Sequence, residues 1–141
     1  MTNPIDMRSL ADSRLEEAEL LSENGFHDSA FYIAGYALEL QLKAKICEHF
    51  DLPDFYTEYV PRTDLSKTFL IHNLERLFLL SGLHAKFMAE RIARTDFDSH
   101  WDNVKLWSEK SRYNPIGTQT LNEITNFFKS IKIIIEWIKA Q

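Results

Sequence analysis

Arg112-Tyr113-Asn114-Pro115 places a cation, an aromatic ring and an amide side by side on a proline-stiffened loop. Such a group can hold a phosphate by ion pairing and a base by stacking. It can equally tie the loop to the interior through a carboxylate, and the residue types alone leave both readings open. Glu39 and Lys43 stand four positions apart with the acid first, the favourable order for an ion pair on one helical face. In so apolar a stretch they form a structural pair or a direct ligand contact, and a buried Glu39 would take Arg112 or Tyr113 from the late loop as its partner. His72 falls at the expected start of a helix, where its ring caps or hydrogen-bonds across the protein. His27, His49 and His84 show no metal-binding spacing, and Glu48-His49 is not the Glu-x-x-His pair that a metal site in a helical bundle would use. No metal and no cofactor is expected.

The elements that must position these residues follow from bulk properties and periodicity. A chain of 141 residues is one domain, 1–141, by the usual size range. With 45% hydrophobic and 26% charged residues it can bury a real core, and four Gly and four Pro are too few for a protein built from tight β-turns. The formal net charge of −5 argues against a protein that grips long nucleic acid chiefly by neutralising phosphates. A site acting on one phosphate needs only a few local cations. Cys47 is the single cysteine, so no internal disulfide and no cysteine-based zinc site can form, and its helical context reads as a small buried hydrophobe. The start of the chain lacks the basic and apolar run of a signal peptide, and no stretch approaches the ~18 consecutive apolar residues of a membrane span. A reducing cytoplasm is the expected compartment, with no membrane partner.

The pattern predicts an all-α protein. A first helix begins after Asn3, with Pro4 at its first position, and ends at Asn24-Gly25. A second, capped by Asp28, runs to about Phe50 and is apolar over most of its circumference, which makes it the centre of a bundle or part of an interface. Its small residues Ala30, Ala34, Gly35 and Ala37 would let a neighbouring helix approach closely. Residues 51–67 form a long connection with one short turn around Phe55 to Tyr59. A third helix follows through Ile71, Leu74, Leu77 and Phe78 and ends near Ser81-Gly82, and a fourth runs from about Ala85 to Ala93. Arg94 to His100 reads as a polar junction, and Trp101 to Lys110 as a short helix. The last helix carries a Thr120–Glu123 capping box and apolar residues at alternating spacings of three and four from Leu121 to Ile138. Ten Phe, five Tyr and three Trp exceed what so small a core hides, so Phe31, Tyr32, Tyr36 and Trp137 are candidates for a homodimer interface.

The run Leu10 to Ala18, Phe26 to Tyr32 and Ala34-Gly35-Tyr36-Ala37-Leu38-Glu39-Leu40-Gln41-Leu42-Lys43-Ala44 resembles HEPN domains, whose second helix carries A-x-Y-x-A-x-x-A-x-E-x-x-L-K-A. His72-Asn73-Leu74-Glu75-Arg76-Leu77 is similar to the family's H-[DN]-L-x-x-L segment, and Trp107 to Tyr113 to the W-x-x-x-x-R-Y element of one branch. The resemblance implies an up-and-down bundle of about four to six helices, often dimeric. It also implies relatives that are metal-independent RNases or toxins, frequently partnered by a nucleotidyltransferase. Their motif is Arg, four to six residues, then His, with Arg stabilising charge on the scissile phosphate and His moving the 2′-hydroxyl proton. Here no His follows Arg112, and the one match, Arg94 to His100, lies an element earlier than the family places it. The expectation is therefore a nucleotide- or RNA-binding module of a defence or toxin–antitoxin system, contacting its ligand through Arg112, Tyr113, Asn114, Glu39 and Lys43, rather than an enzyme. The alternatives are an RNase using Arg94 and His100, or a helical domain whose function is dimerisation.

Overall fold

The computed structural model describes residues 3–55 and 70–141. Six α-helices and one 3-10 turn make up the described chain: α1 (Pro4–Glu23), α2 (His27–His49), α3 (Leu74–Leu80), α4 (His84–Ala93), α5 (Thr95–Val104), the 3-10 turn Glu109–Tyr113, and α6 (Leu121–Lys139). The expected all-α bundle is what forms. No described helix is long and apolar enough to cross a membrane.

Local chemistry sets the helix ends. Asn3 accepts from the Asp6 backbone N–H at 2.9 Å, and Pro4 follows at the first helical position, where its missing donor costs nothing. At the other end of α1 the backbone of Gly25 is left-handed (φ 86°). This lets Gly25 and Phe26 donate back to the Ser22 and Leu21 carbonyls at 3.0 and 2.9 Å, and the chain reverses directly into α2. Asn73 caps α3 through the Arg76 N–H at 3.0 Å, and Thr120 caps α6 through Glu123 at 3.2 Å.

α2 is the central element. It lies along α1 and also meets α3, the 3-10 turn and α6. Fourteen of its 23 residues are buried, which is why its apolar residues surround the helix instead of forming a stripe. α5 packs on α6, and between them sits an aromatic cluster. Phe87 stacks on Phe78 at 4.0 Å between ring centres and meets the edge of Trp101 at 5.0 Å, while Trp137 closes on Phe87 and Phe97 at 5.5 and 5.8 Å. Phe31 is buried against Phe127 at 4.4 Å. Two aromatics assigned to an interface from sequence, Phe31 and Trp137, therefore pack inside this chain.

Two boundaries differ from the sequence reading. Arg94 to His100 is not a polar junction, because Thr95 to Val104 is helical. Phe97, Trp101 and Val104, at spacings of four and three, are all buried, and this one apolar face outweighs the polar residues between them. Of the segment read as helix from Trp101 to Lys110, only Trp101 to Val104 is helical, and a turn and the 3-10 element follow. Of the turn expected around Phe55 to Tyr59, everything from Tyr56 onward lies outside the described residues.

Candidate functional site around the 3-10 turn

Glu39 is a carboxylate in the middle of the most apolar helix, 1% exposed. Its Oε1 accepts from Lys43 Nζ at 2.7 Å and faces His72 Nδ1 at 2.8 Å. Lys43, itself 5% exposed, also lies over the Phe55 ring at 5.1 Å. The expected four-residue pair is thus formed. The expected third partner from the late loop is not: His72, just ahead of the α3 cap, occupies the place given to Arg112 or Tyr113. Two opposite charges can stay buried when each satisfies the other and further hydrogen bonds complete them. Neither Glu39 nor Lys43 lines the clefts beside the 3-10 turn, one of which His72 borders.

Trp107 carries the loop onto α2. Its ring lies on Gly35 so closely that a β-carbon there would stand 2.1 Å from Nε1. Its N–H donates to the Tyr32 carbonyl at 3.2 Å. At Gly35, one member of the small-residue stripe of α2, the space is taken by an indole. Beyond it, Ser108 caps the 3-10 turn through Lys110 N–H, and Ser111 returns its hydroxyl to the Ser108 carbonyl at 2.7 Å. Asp28, expected to cap α2, is used elsewhere. Its two oxygens accept from the Gly117 and Gln119 backbone N–H groups at 2.7 and 2.8 Å, because a carboxylate on the first turn of α2 lies within reach of that loop's unpaired donors. α2 starts without a side-chain cap.

On this anchored support Arg112 is exposed, its guanidinium 4.8 Å from the centre of the Tyr113 ring. No carboxylate among the described residues lies within ion-pair range of it. The charge interaction with Tyr113, then hydrogen bonds to the Tyr113 and Tyr32 hydroxyls, raise its pKa above the usual arginine value and keep it cationic. Tyr113 is 73% exposed. Ser111 and Asn114, on either side of the pair, line a cleft of about 350 Å³ with Lys110, Gln119, Asn103 and Asn126. A guanidinium with no carboxylate partner among the described residues, an exposed aromatic ring and amides suit a ligand with a phosphate and a planar ring.

Arg94 and His100 are placed differently. Arg94 caps the α4–α5 junction, with its guanidinium on Glu90 and Asp96 at 2.9 Å each. His100 lies within α5 and turns Nδ1 to Ser130 on α6 at 2.9 Å, where Asn103 also donates at 3.0 Å. It links two helices. Cys47 is fully buried, and burial, followed by the charges of Asp54 and Glu48, pushes its thiol up to about 11, a protonated group without nucleophilic character. No group of three or more His, Cys, Asp or Glu able to hold a metal occurs among the described residues.

Sequence reasoning missed Asp28 as the loop anchor, Gly35 as the seat of Trp107, and Arg76, Lys105 and Lys110 as cations beside the turn. Each depends on pairing across the bundle, which no local spacing encodes. No protein-family model matches the chain, and no curated protein or solved structure matches it.

Proposed function

We propose that the chain is a HEPN-like nucleotide- or RNA-binding helical module whose contact surface is the Arg112-Tyr113-Asn114 loop. The observation that carries this reading is the guanidinium of Arg112, exposed beside an open tyrosine and, like Arg76, without a carboxylate partner among the described residues, while Arg8, Arg14, Arg91 and Arg94 each have one. In an acidic chain, an arginine left unpaired beside an exposed tyrosine and a polar cleft is a local positive site against the general field. A helical domain whose whole role is dimerisation would be better supported by an Arg112 closed off by internal carboxylates. The alternative nuclease pair has no such support, since Arg94 is held by two carboxylates and His100 by Ser130. The proposal extends, through the resemblance, to a homodimer and to a nucleotidyltransferase-like partner in a defence or toxin–antitoxin pair.

The test is fluorescence anisotropy with a labelled single-stranded oligoribonucleotide and with a labelled nucleotide. Arg112→Ala and Tyr113→Ala should each weaken binding by about tenfold or more, the usual consequence of losing one charge contact or one stacking ring. Both side chains are exposed, so circular dichroism should show an unchanged fold. Wild-type protein that binds neither probe, or variants that bind as wild type does, would refute the reading.

A further inference from the structure

A second cleft, of about 610 Å³, opens on the other side of the 3-10 turn, and Ser108 and Lys110 line both. Its cations are Arg76, Lys105 and Lys110, and His72 stands among them. Lys105 is paired with Asp102 at 2.7 Å, but Arg76 and Lys110 have no carboxylate in ion-pair range among the described residues. The cleft also touches Trp101, whose indole N–H is buried without a hydrogen-bond acceptor among the described residues.

His72 is more than a surface ring, because the buried carboxylate of Glu39 holds its Nδ1 at 2.8 Å while the side chain remains 46% exposed. A carboxylate only accepts, so the hydrogen of that bond belongs to Nδ1. Nε2 is then the nitrogen left for a ligand: an acceptor in the neutral ring, a donor once the ring takes up a proton. Glu39 and Lys43 of α2 stand behind the ring. Glu75 and Arg76 of α3, Lys105 after α5, and Glu109 and Lys110 of the turn share its cleft.

We propose that this cleft is a binding site for a phosphate group, met by Arg76 and Lys110 together with His72 in its imidazolium form. The site is separate from the Arg112 loop and does not depend on the function proposed there. Binding of the dianion takes up one proton at Nε2, so affinity rises as pH falls. Ordinary arginine, lysine and carboxyl groups do not titrate between about pH 6 and about pH 8, whereas histidine does.

Sulfate, which stays a dianion throughout this window, is the probe. It is titrated calorimetrically into the full chain at about pH 6 and about pH 8. The expected result is binding about tenfold tighter at the lower pH, a coupling of ordinary size, with proton uptake read from buffers of different ionisation enthalpy. His72→Gln should remove the pH dependence, Arg76→Gln should weaken binding at both pH values, and Arg112→Ala, which removes any sulfate held at the loop, should leave the pH dependence in place. All three side chains are exposed, and circular dichroism checks the fold. No sulfate binding, binding that both cleft variants leave intact (an adventitious ion only), or a pH dependence that survives His72→Gln would each overturn the proposal. Displacement of bound sulfate by a nucleoside 5′-monophosphate would assign the phosphate to a small ester, and displacement by a short oligoribonucleotide alone would assign it to an RNA backbone.

Discussion

Gly35→Ala is the most searching single change in this structure, because two rules give it opposite signs. Inside a long helix, replacing Gly by Ala should stabilise by about 1 kcal/mol through lower backbone entropy in the unfolded chain. At this position, however, the added β-carbon would lie 2.1, 2.2 and 2.3 Å from Nε1, Cδ1 and Cε2 of Trp107. Those atoms belong to a rigid ring that is 4% exposed, so the indole as a whole must move by more than an ångström. Overpacking of this kind costs about 1–3 kcal/mol. Breaking the Trp107–Tyr32 hydrogen bond at 3.2 Å adds about 1–3 kcal/mol if the buried N–H finds no other acceptor. The steric side wins, and Gly35→Ala should destabilise by roughly 1–5 kcal/mol net, read as a lower midpoint in urea followed by circular dichroism. Because Trp107 carries the chain into the 3-10 turn, oligoribonucleotide binding should weaken as well. Trp107→Leu is damaging alone, but in the Gly35→Ala background its cost should shrink, a coupling that a double-mutant cycle measures. A Gly35→Ala protein as stable as wild type, or stabler, would refute the claim that the indole is seated on this glycine.

Other perturbations probe the remaining supports. Glu39→Ala strands Lys43 in the interior, and removing one partner of a buried pair costs about 3–5 kcal/mol; Glu39→Leu with Lys43→Met should recover most of that loss in the same unfolding assay. Asp28→Ala deletes two charge-assisted bonds to the loop, and faster hydrogen exchange at Gly117 and Gln119 should accompany a loss of about 1.5–3 kcal/mol. The hydrogen bond from Arg94, aided by the Phe97 backbone N–H, holds the Asp96 carboxyl below the ordinary carboxylate range. The stability it contributes is therefore present above the unfolded value and is lost as pH falls through the lower folded one. A carboxyl NMR titration should show Arg94→Ala moving Asp96 back up, and an unmoved titration would refute the pairing.

What the sequence makes legible and what it hides divide along sequence separation. In α6 the residues Ile124, Phe128, Ile131, Ile135 and Ile138 repeat at four and three positions, and all five are buried. A single helix encodes that pattern, so reading it needs no knowledge of the fold. The Glu39–Lys43 pair was legible for the same reason, both ends lying on one turn of α2. Helix α5 marks the limit of such reasoning: three apolar residues scattered among Asp, Ser and His make a weak pattern until α6 and the aromatic cluster cover them. The long-range supports of the site lie beyond that limit. Glu39 meets a histidine 33 positions away, Asp28 holds backbone N–H groups 89 and 91 positions away, and Trp107 bonds a carbonyl 75 positions away. Residue type could show that Glu39 needs partners, yet not which of several basic or hydroxyl groups the topology would deliver. The same asymmetry separates the two clefts: Arg112 and Tyr113 are neighbours in the chain and could be read as a unit, whereas His72, Arg76, Lys105 and Lys110 meet only because the start of α3, the end of α5 and the 3-10 turn border one cleft.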